Sequence, residues 1–514
     1  MPTVVAVGFA PARSSRLPWL LWSAALVYLV AFPLQFKQSD EGIVLYGARR
    51  VLEGQALYKD FFEFITPGSF YLFAGLFAVT GPSLLAARVT MAAVNASSCA
   101  LLFLLARRVA PVAEALAATL AFALACLPVW RCASPHWLST FLCLAAGAAM
   151  LAERWAPHVR AAIVGALAGI TFSVQQQRGV FLGLWAVPSI AVLSWAAPPS
   201  DGGRQWKRQV VWFVAAASAI VLAVLGYAAW RASLERLVYA TYTFVFHSYR
   251  KPHATGVGWG GWFWMSAADV PYTWPWLLRW LPAVLVIETA FLAWRLRRQR
   301  TRAEAVRACL LLLGTSMAAS VLYYPDFIHV SFIAPFLLIV AAGVAHEVQA
   351  TTFLFRSRAA GAARLVLAAG VVLILLGKGW GNLRRAWDAA PERFASAVGT
   401  LHGGVGQRAL LEAVQRAVEP GHGTVFSYPG DAWLYLAVPA DNPTPYSLLL
   451  PRYNTTEQFD EALAALERRR ADYLVILVAL LPPGDPVMRY QQGRYERIVD
   501  LFPYAIFRRL DGAP

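Results

Sequence analysis

Long apolar segments are the feature of this sequence that most limits its fold. Eleven stretches can be interpreted as membrane-spanning helices, because a bilayer core about 30 Å thick needs roughly 20 apolar residues in a helix. They lie near residues 17–36, 83–106, 112–131, 136–153, 160–175, 179–196, 210–230, 276–294, 307–323, 327–345 and 361–379. Only 14% of the residues are charged, against about 25% in soluble domains. The sequence therefore predicts an all-α polytopic membrane protein.

The distribution of charge predicts how the chain is oriented. The segment from Arg384 onward holds 14 basic and 15 acidic residues, so the net charge of +16 belongs to the apolar part. Basic residues gather in alternate loops, including the run from 295 to 307. By the positive-inside rule the N-terminus is cytoplasmic and the C-terminal region lies outside. No basic face with interleaved aromatic residues, as nucleic-acid binding needs, is seen in the sequence.

The sequence divides into two predicted domains. Residues 1–380 form the polytopic domain, with a first outer loop at 37–82 and a second at 231–275. Within the first loop, the apolar stretch 67–80 is too short to span and is predicted to lie at the membrane surface or to re-enter it. In 381–514, helical patterns at 392–418, 456–470 and 486–499 alternate with apolar runs at 424–427, 473–478 and 504–507. This alternation predicts a small extracytoplasmic α/β domain.

The first outer loop concentrates acidic residues. Five of the 14 acidic residues that precede Arg384 fall within positions 40–63. Asp40 and Glu41 are adjacent and stand at the start of an amphipathic helical pattern that ends at Gly54. Such a pair supplies a general base, or holds a divalent cation such as Mg or Mn near a phosphate. The alternative interpretation is that Asp40 only caps this helix.

The motifs around this loop follow a fixed order over about the first 110 residues. The order is Asp40-Glu41, then Leu52-Glu53-Gly54-x-x-Leu57-Tyr58-x-Asp60, then Pro67 before an aromatic-rich helix, then Phe77-x-x-x-Gly81-x-Ser83-x-x-x-x-Arg88. This order resembles the GT-C superfamily of polytopic membrane glycosyltransferases. The resemblance is greatest to the bacterial dolichyl-phosphate-mannose and protein O-mannosyltransferase-like group. Beyond residue 110 it holds only in layout, as many spans followed by an outward domain.

The resemblance implies a GT-C fold, a sugar donor carried on a polyprenyl phosphate, and a catalytic acidic residue in the first outer loop. Position by position, Asp40 occupies the catalytic place and Glu41 is its neighbour. Arg88 matches an arginine that the resemblance makes structural, pairing with loop carboxylates, and Asp60 is also assigned a structural role. The resemblance and the Arg-over-Lys, Ala-rich composition together point to a bacterial cytoplasmic (inner) membrane.

Other charged residues at predicted outer ends of spans are candidates for substrate binding. The cations and histidines are Arg131, His136, Arg178, Arg250 and Lys251. For each of them, an interfacial anchor or a loop ion pair is the alternative. A second cluster contains Asp326 and His329, which share a helix face at a spacing of three residues. Asp326 either binds substrate together with His329 or simply caps the following helix.

These observations predict an integral membrane glycosyltransferase with Asp40 as general base. Its expected partners are a polyprenyl-phosphate sugar donor, a glycan, lipid or protein acceptor, and the lipid bilayer, with no nucleic acid. A transporter or flippase of lipid-linked sugars is the alternative from another class. Transporters often show internal repeats and broken helices at mid-membrane, and the sequence shows no repeat. A third interpretation is a catalytically inactive scaffold for envelope assembly.

Overall fold

The computed structural model describes residues 16–36, 40–196, 202–249, 258–263, 274–297, 301–351, 358–418, 423–451 and 453–510. The helices of the apolar part are α1 (Leu17–Val30), α2 (Asp40–Leu52), α3 (Gly68–Thr80), α4 (Leu84–Ala106), α5 (Val112–Ala121), α6 (Pro135–Met150), α7 (Pro157–Val174), α8 (Gln176–Trp195), α9 (Gly202–Ala232), α10 (Leu234–Val238), α11 (Gly258–Phe263), α12 (Pro275–Trp280), α13 (Ala283–Leu296), α14 (Arg302–Ala319), α15 (Phe327–Thr351) and α16 (Arg358–Asp388). Short π and 3-10 turns extend α5 to Val129, and two π turns carry the chain from Tyr239 to Tyr249.

The predicted fold class, an all-α polytopic membrane protein with a small C-terminal α/β part, is confirmed. A helix lies over each of the eleven predicted spans. Within the described ranges, eight helices are long and apolar enough to cross a membrane. α1 and α6 are shorter, with 14 and 16 residues, and α14 carries charged residues in its first two turns. The count of eleven spans therefore stays a prediction.

Two glycines of α7 let α9 approach it closely. A methyl group at Gly165 would lie 2.2 Å from the carbonyl oxygen of Phe213, and one at Gly169 would lie 2.7 Å from that of Ala217. Small residues four positions apart allow this backbone approach between helices in lipid, where the hydrophobic effect contributes little to helix association. The two glycines therefore allow α9 to pack closely against α7. The other faces of α9 are largely exposed.

Five charged side chains form a buried ion network at the end of the bundle far from Asp326. Arg307 pairs with Glu288 at 3.1 Å and with Glu347 at 2.7 Å, while Arg295 pairs with Glu304 at 3.0 Å and also contacts Glu347. These contacts join α13, α14 and α15. The basic run from 295 to 307 is predicted as a cytoplasmic loop. In the structure α13 extends to Leu296 and α14 begins at Arg302, so Arg295 and Arg307 lie on helices, and the side of the membrane stays a prediction.

The C-terminal part is built on a four-stranded sheet beside a separate hairpin. Its elements are β1 (Glu392–Ser396), β2 (Gly399–Gly403), α17 (Val405–Ala417), β3 (Val425–Tyr428), α18 (Leu434–Ala437), α19 (Thr456–Arg469), β4 (Tyr473–Leu477), α20 (Pro486–Gln491), β5 (Tyr495–Leu501) and β6 (Tyr504–Arg509). The sheet has the order β3-β4-β6-β5, with β3 and β4 parallel and the other pairs antiparallel. β1 and β2 form the antiparallel hairpin.

Two predicted helices of this part were too long. Residues 392–403 form the β1–β2 hairpin, in which buried Phe394 pairs with buried Leu401 around a turn at Gly399 with φ +107°. Residues 486–499 are a helix only to Gln491, and Gly493 at φ +71° ends that segment before β5. In both cases a glycine with positive φ turns the chain. The division into domains at residue 380 stays a prediction, since α16 continues to Asp388.

The C-terminal part lies directly on the first outer loop. The backbone N–H of Phe62 donates to the carbonyl of Pro445 at 2.9 Å, and Phe62 forms a β-bridge with Tyr446. Tyr46 of α2 stacks on Tyr435 with ring centroids 4.7 Å apart. Residues of both parts therefore contribute to one continuous hydrophobic core, and residues 41–48 of α2 are buried.

Candidate active site

Asp40 is the first residue of α2, and it is exposed. Burial is the main reason that the pKa of Tyr249 is raised, and the negative charges of Asp40 and Asp326 both add to the shift. Both carboxylates therefore lie near Tyr249. The partly exposed region around Asp40, Tyr249, Tyr323 and Asp326 is called the polar cavity below.

Glu41, the neighbour of Asp40, occupies a different environment. It is fully buried, and its Oε2 accepts a hydrogen bond from Arg88 Nη2 at 2.6 Å. Its Oε1 accepts the backbone N–H of Ala133 at 2.8 Å, while Arg88 also donates to the carbonyl of Gln35. Arg88 thus does pair with a loop carboxylate, and the pair holds α2 against α4 and the segment before α6.

Asp326 caps the following helix and also pairs with the side chain of His329, while substrate binding by the two residues stays a prediction. Asp326 Oδ1 accepts the backbone N–H of His329 at 2.7 Å, which caps the start of α15. The same oxygen lies 2.7 Å from His329 Nδ1. Burial acts to raise the pKa of Asp326, but the charge and the hydrogen bonds of His329 outweigh it, and the pKa is lowered. The carboxylate is therefore ionised and faces the cavity at neutral pH.

His136 lies beside His329, with ring centroids 5.1 Å apart and the rings perpendicular. Its other face stacks on Phe332 at 4.5 Å. Gln175, the extended residue between α7 and α8, places its Nε2 at 2.8 Å from His136 Nδ1 and accepts a hydrogen bond from Ser139 through Oε1. Because the amide N–H₂ is a donor, Nδ1 accepts and the proton of neutral His136 sits on Nε2.

Arg178 lies in the first turn of α8 behind His136. Only 1% of it is exposed, and its Nη1 donates to Thr140 Oγ1 at 2.8 Å. Its Nε and Nη2 have no hydrogen-bond partner, and no carboxylate lies within ion-pair distance among the residues that the structure describes. A buried cation without a carboxylate is costly at membrane depth. It gives this wall of the cavity a positive charge.

Glu63 is a second carboxyl group near Asp40. It is 5% exposed, and it makes neither a hydrogen bond nor an ion pair within the described part of the chain. Burial raises its pKa well above the ordinary value, the charge of Arg50 lowers it, and the charge of Asp40 raises it. Glu63 is therefore protonated over a pH range in which an exposed glutamate is ionised.

The C-terminal part contributes Tyr453 to this cavity. The ring of Tyr453 lies 5.8 Å from that of Tyr249, which also packs on Phe64 at 4.5 Å. Tyr249, Tyr453 and Gln175 were not predicted as site residues. Only Gln175 carried a usable signal, since it begins a run of three glutamines within an apolar segment.

The remaining predicted site residues lie elsewhere or are not described. The guanidinium carbon of Arg131 lies 4.4 Å from the ring centroid of Phe32, which places it against the end of α1. Asp60 Oδ2 accepts the backbone N–H of Ala56 at 2.7 Å and closes a turn of the outer loop. Arg250 and Lys251 lie outside the described residues. Over the described ranges no group of three or more His, Cys, Asp or Glu side chains is arranged to hold a metal ion.

An apolar groove of about 720 Å³ begins beside the cavity. Its wall includes Trp259, Phe263, Val286, Ala290, Ala293 and Thr315. The backbone N–H of Gly258 donates to the carbonyl of Leu322 at 2.6 Å, which holds the Trp259 end next to Tyr323. The groove then continues along α13 and α14, away from the cavity.

Solved structures of similar fold are membrane glycosyltransferases. ArnT from Cupriavidus metallidurans bound to undecaprenyl phosphate superposes with a TM-score of 0.60 at 13% identity, covering 97% of both chains. Its apo state gives 0.60 at 14% identity, covering 97% of this chain and 99% of that one. The archaeal oligosaccharyltransferase AglB from Archaeoglobus fulgidus, in complex with an inhibitory peptide and a dolichol-phosphate, gives 0.57 at 11% identity, covering 90% of this chain and 69% of its own.

At these identities the comparison shows the fold. No protein-family model matches the sequence, and no curated protein matches it. The GT-C architecture expected from the motifs is confirmed, while the mannosyltransferase-like subgroup stays a prediction.

Proposed function

We propose that this protein transfers a sugar from a polyprenyl-phosphate donor to an acceptor on the outer face of a bacterial cytoplasmic membrane. The N-terminus is then cytoplasmic and the C-terminal part extracytoplasmic. The observation that carries the proposal is the position of Asp40, exposed at the start of α2 in a polar cavity of a chain with the GT-C fold.

Asp40 is the general base in this proposal. It takes the proton of the acceptor hydroxyl, whose oxygen attacks the anomeric carbon with inversion as the bond to the lipid phosphate breaks. Glu41 anchors the helix that carries Asp40, because Arg88 and the N–H of Ala133 occupy its oxygens. This anchoring role replaces the shared chemistry expected from the adjacency of the two residues.

The donor is held by two neighbouring regions. The proton on His136 Nε2 and the positive charge of Arg178 behind it suit the leaving phosphate, whose negative charge grows as the bond breaks. The apolar groove beside Tyr323 suits the isoprenoid chain of the lipid. ArnT was solved with undecaprenyl phosphate and AglB with a dolichol-phosphate. These two structures of similar fold support a polyprenyl-phosphate donor for this protein.

The test is release of labelled sugar from a panel of polyprenyl-phosphate sugars by the purified protein. We expect Asp40→Asn to lower turnover of the accepted donor by about 10²- to 10⁴-fold, the usual contribution of a general base. Asp388→Asn, the same exchange at an exposed side chain of α16, is the matched control and should retain full activity. Normal turnover by Asp40→Asn would exclude Asp40 as the base. Movement of an unconsumed donor across vesicles would favour the transporter alternative.

A further inference from the structure

α2 is held on two different faces. On one face Glu41 is paired with Arg88 of α4. On another face Gly42, Tyr46 and Arg49 recur at helical spacing and face residues 432–442 of the C-terminal part. Asp40 stands at the first turn of this helix, so its location depends on both contacts.

The contact at Gly42 leaves no room for a side chain. A methyl group there would lie 2.4 Å from the backbone nitrogen of Trp433 and 2.9 Å from the carbonyl carbon of Ala432. These are backbone atoms, which cannot rotate away as a flexible side chain can. Any larger residue at position 42 must therefore separate α2 from the 432–433 segment.

Trp433 contacts the chain on both sides of Asp40. Its ring stacks on Phe36 with centroids 5.7 Å apart, and its backbone meets Gly42. The indole is itself oriented, because its Nε1–H donates to Asp431 Oδ1 at 3.2 Å, and Asp431 Oδ2 accepts the hydroxyl of Tyr504 at 2.6 Å. The C-terminal sheet thus fixes the residue that brackets Asp40.

Two polar contacts set the rotation of α2. The hydroxyl of Tyr46 accepts the backbone N–H of Asn442 at 3.3 Å, and Arg49 Nη1 donates to the carbonyl of Tyr435 at 2.9 Å. Hydrogen bonds are directional, so they define an angle that apolar packing alone leaves loose. The helix is therefore fixed in both distance and rotation.

We propose that the C-terminal part positions the carboxylate of Asp40 through Trp433 and Gly42, which makes this part a component of the catalytic site. This inference rests on the proposed role of Asp40 as base. A base acts only within hydrogen-bond reach of the proton that it removes, and a displacement of about 1 Å costs roughly 100-fold in rate. Gly42 and Tyr46 are positioning residues, since they act through α2.

The experiment compares Gly42→Ala with wild type in the full-length protein. We expect kcat to fall by roughly 100-fold. KM for the donor should stay within twofold, because His136 and Arg178, which are proposed to hold the donor phosphate, are not displaced. Gly75→Ala is the matched control on the adjacent helix α3, where an added methyl group meets nothing within 4 Å, and it should behave as wild type. Tyr46→Phe keeps the ring and removes the acceptor for the buried N–H of Asn442, so we expect a severalfold loss of kcat together with a lower melting temperature, because a buried donor without a partner is destabilising.

A second measurement does not depend on turnover. All five native cysteines are buried, so a thiol introduced by Asp40→Cys is the main site for a small maleimide. Adding Gly42→Ala should change its labelling rate severalfold, and adding Gly75→Ala should not. Wild-type kcat in Gly42→Ala, or a labelling rate that Gly42→Ala does not alter, would overturn the positioning role and leave the proposed function standing. Full transfer by Asp40→Asn would instead overturn the proposed function.

Discussion

The two ends of the helix bundle both hold charged side chains, but they arrange them in opposite ways. Asp326 caps the start of α15 and Glu347 lies near the other end of the same helix, about 30 Å away along its axis. At the Glu347 end, Arg307 is fully enclosed and bridges two carboxylates. At the Asp326 end, half-buried side chains line the polar cavity, and two guanidinium nitrogens of Arg178 have no hydrogen-bond partner among the described residues.

The difference separates charges that pair within the protein from charges that a ligand can reach. In the ion network each arginine bridges two carboxylates, so the cost of burying them is offset within the protein. Asp40 is exposed and Asp326 is half-buried, which leaves both able to interact with a charged ligand. A charged residue within a membrane domain therefore indicates a binding or catalytic site only when the residues that it pairs with are known.

The largest effect is expected from breaking the ion network. Arg307→Leu leaves Glu288 buried without a cation and leaves Glu347 with Arg295 alone, so we expect a loss of about 3–5 kcal/mol in the free energy of unfolding. Sugar transfer per folded molecule should stay within twofold of wild type. Unfolding in mixed detergent micelles measures the first quantity. Arg384→Leu, which breaks an exposed pair of 3.7 Å, is the control and should cost less than about 1 kcal/mol. Equal losses in the two variants would contradict a structural role for the network.

A smaller effect is expected when Asp326 in the polar cavity is changed, and it concerns activity instead of stability. Asp326→Asn keeps a good helix cap but removes the charge that faces His329. We expect kcat/KM to fall by about 10- to 100-fold, the equivalent of a charge-assisted hydrogen bond of 1.5–3 kcal/mol. Asp485→Asn makes the same exchange at the cap of α20 and should leave kcat/KM unchanged. A loss of stability with unchanged kcat/KM would show that Asp326 is a cap and nothing more.

The smallest effect on stability is expected at Glu63. This carboxyl group is buried but makes no ion pair with an arginine among the described residues, whereas Glu347 pairs with Arg307. Its pKa is raised in the folded state, so the folded protein holds a proton that the unfolded chain releases above about pH 4.5. Wild-type stability should therefore decline as pH rises above that value, by at most about 1.4 kcal/mol per pH unit. Glu63→Gln cannot ionise and should gain stability relative to wild type as pH increases. Thermal unfolding from pH 5 to 9 measures the difference. Glu53→Gln, at an exposed position of the same loop, should follow wild type, and a constant difference for Glu63→Gln would show that Glu63 is already ionised.

Local patterns in the sequence predicted much of this architecture. Each of the eleven long apolar stretches forms a helix, because a backbone that spans lipid must satisfy its own hydrogen bonds. The pairing of Asp326 with His329 was predictable, since three residues on one helix place two side chains together. The GT-C fold was recognisable from the motif order that begins at Asp40.

Contacts between distant segments were not predictable in this way. Gln175 meets His136 across 39 residues, and Thr140 donates to the carbonyl of Phe332 across 192. The ion network was missed because Arg295 and Arg307 carry the same signal as loop arginines. Their acidic partners lie within apolar helices, and only the packing of three helices brings the set together. The β1–β2 hairpin was missed because its composition fits a helix.

The contact between α2 and the C-terminal part has a consequence for the order of synthesis. Arg49 and the carbonyl it binds are 386 residues apart, and Tyr46 and its partner are 396 apart. In the proposed orientation, the loop that bears Asp40 leaves the ribosome and crosses the membrane long before the segment that brackets it exists. A chain whose synthesis stops before residue 430 already has all of its predicted spans but lacks that contact. With the proposed function, turnover begins only once the last part of the chain has been exported and folded, and unfinished copies do not consume the lipid-linked donor.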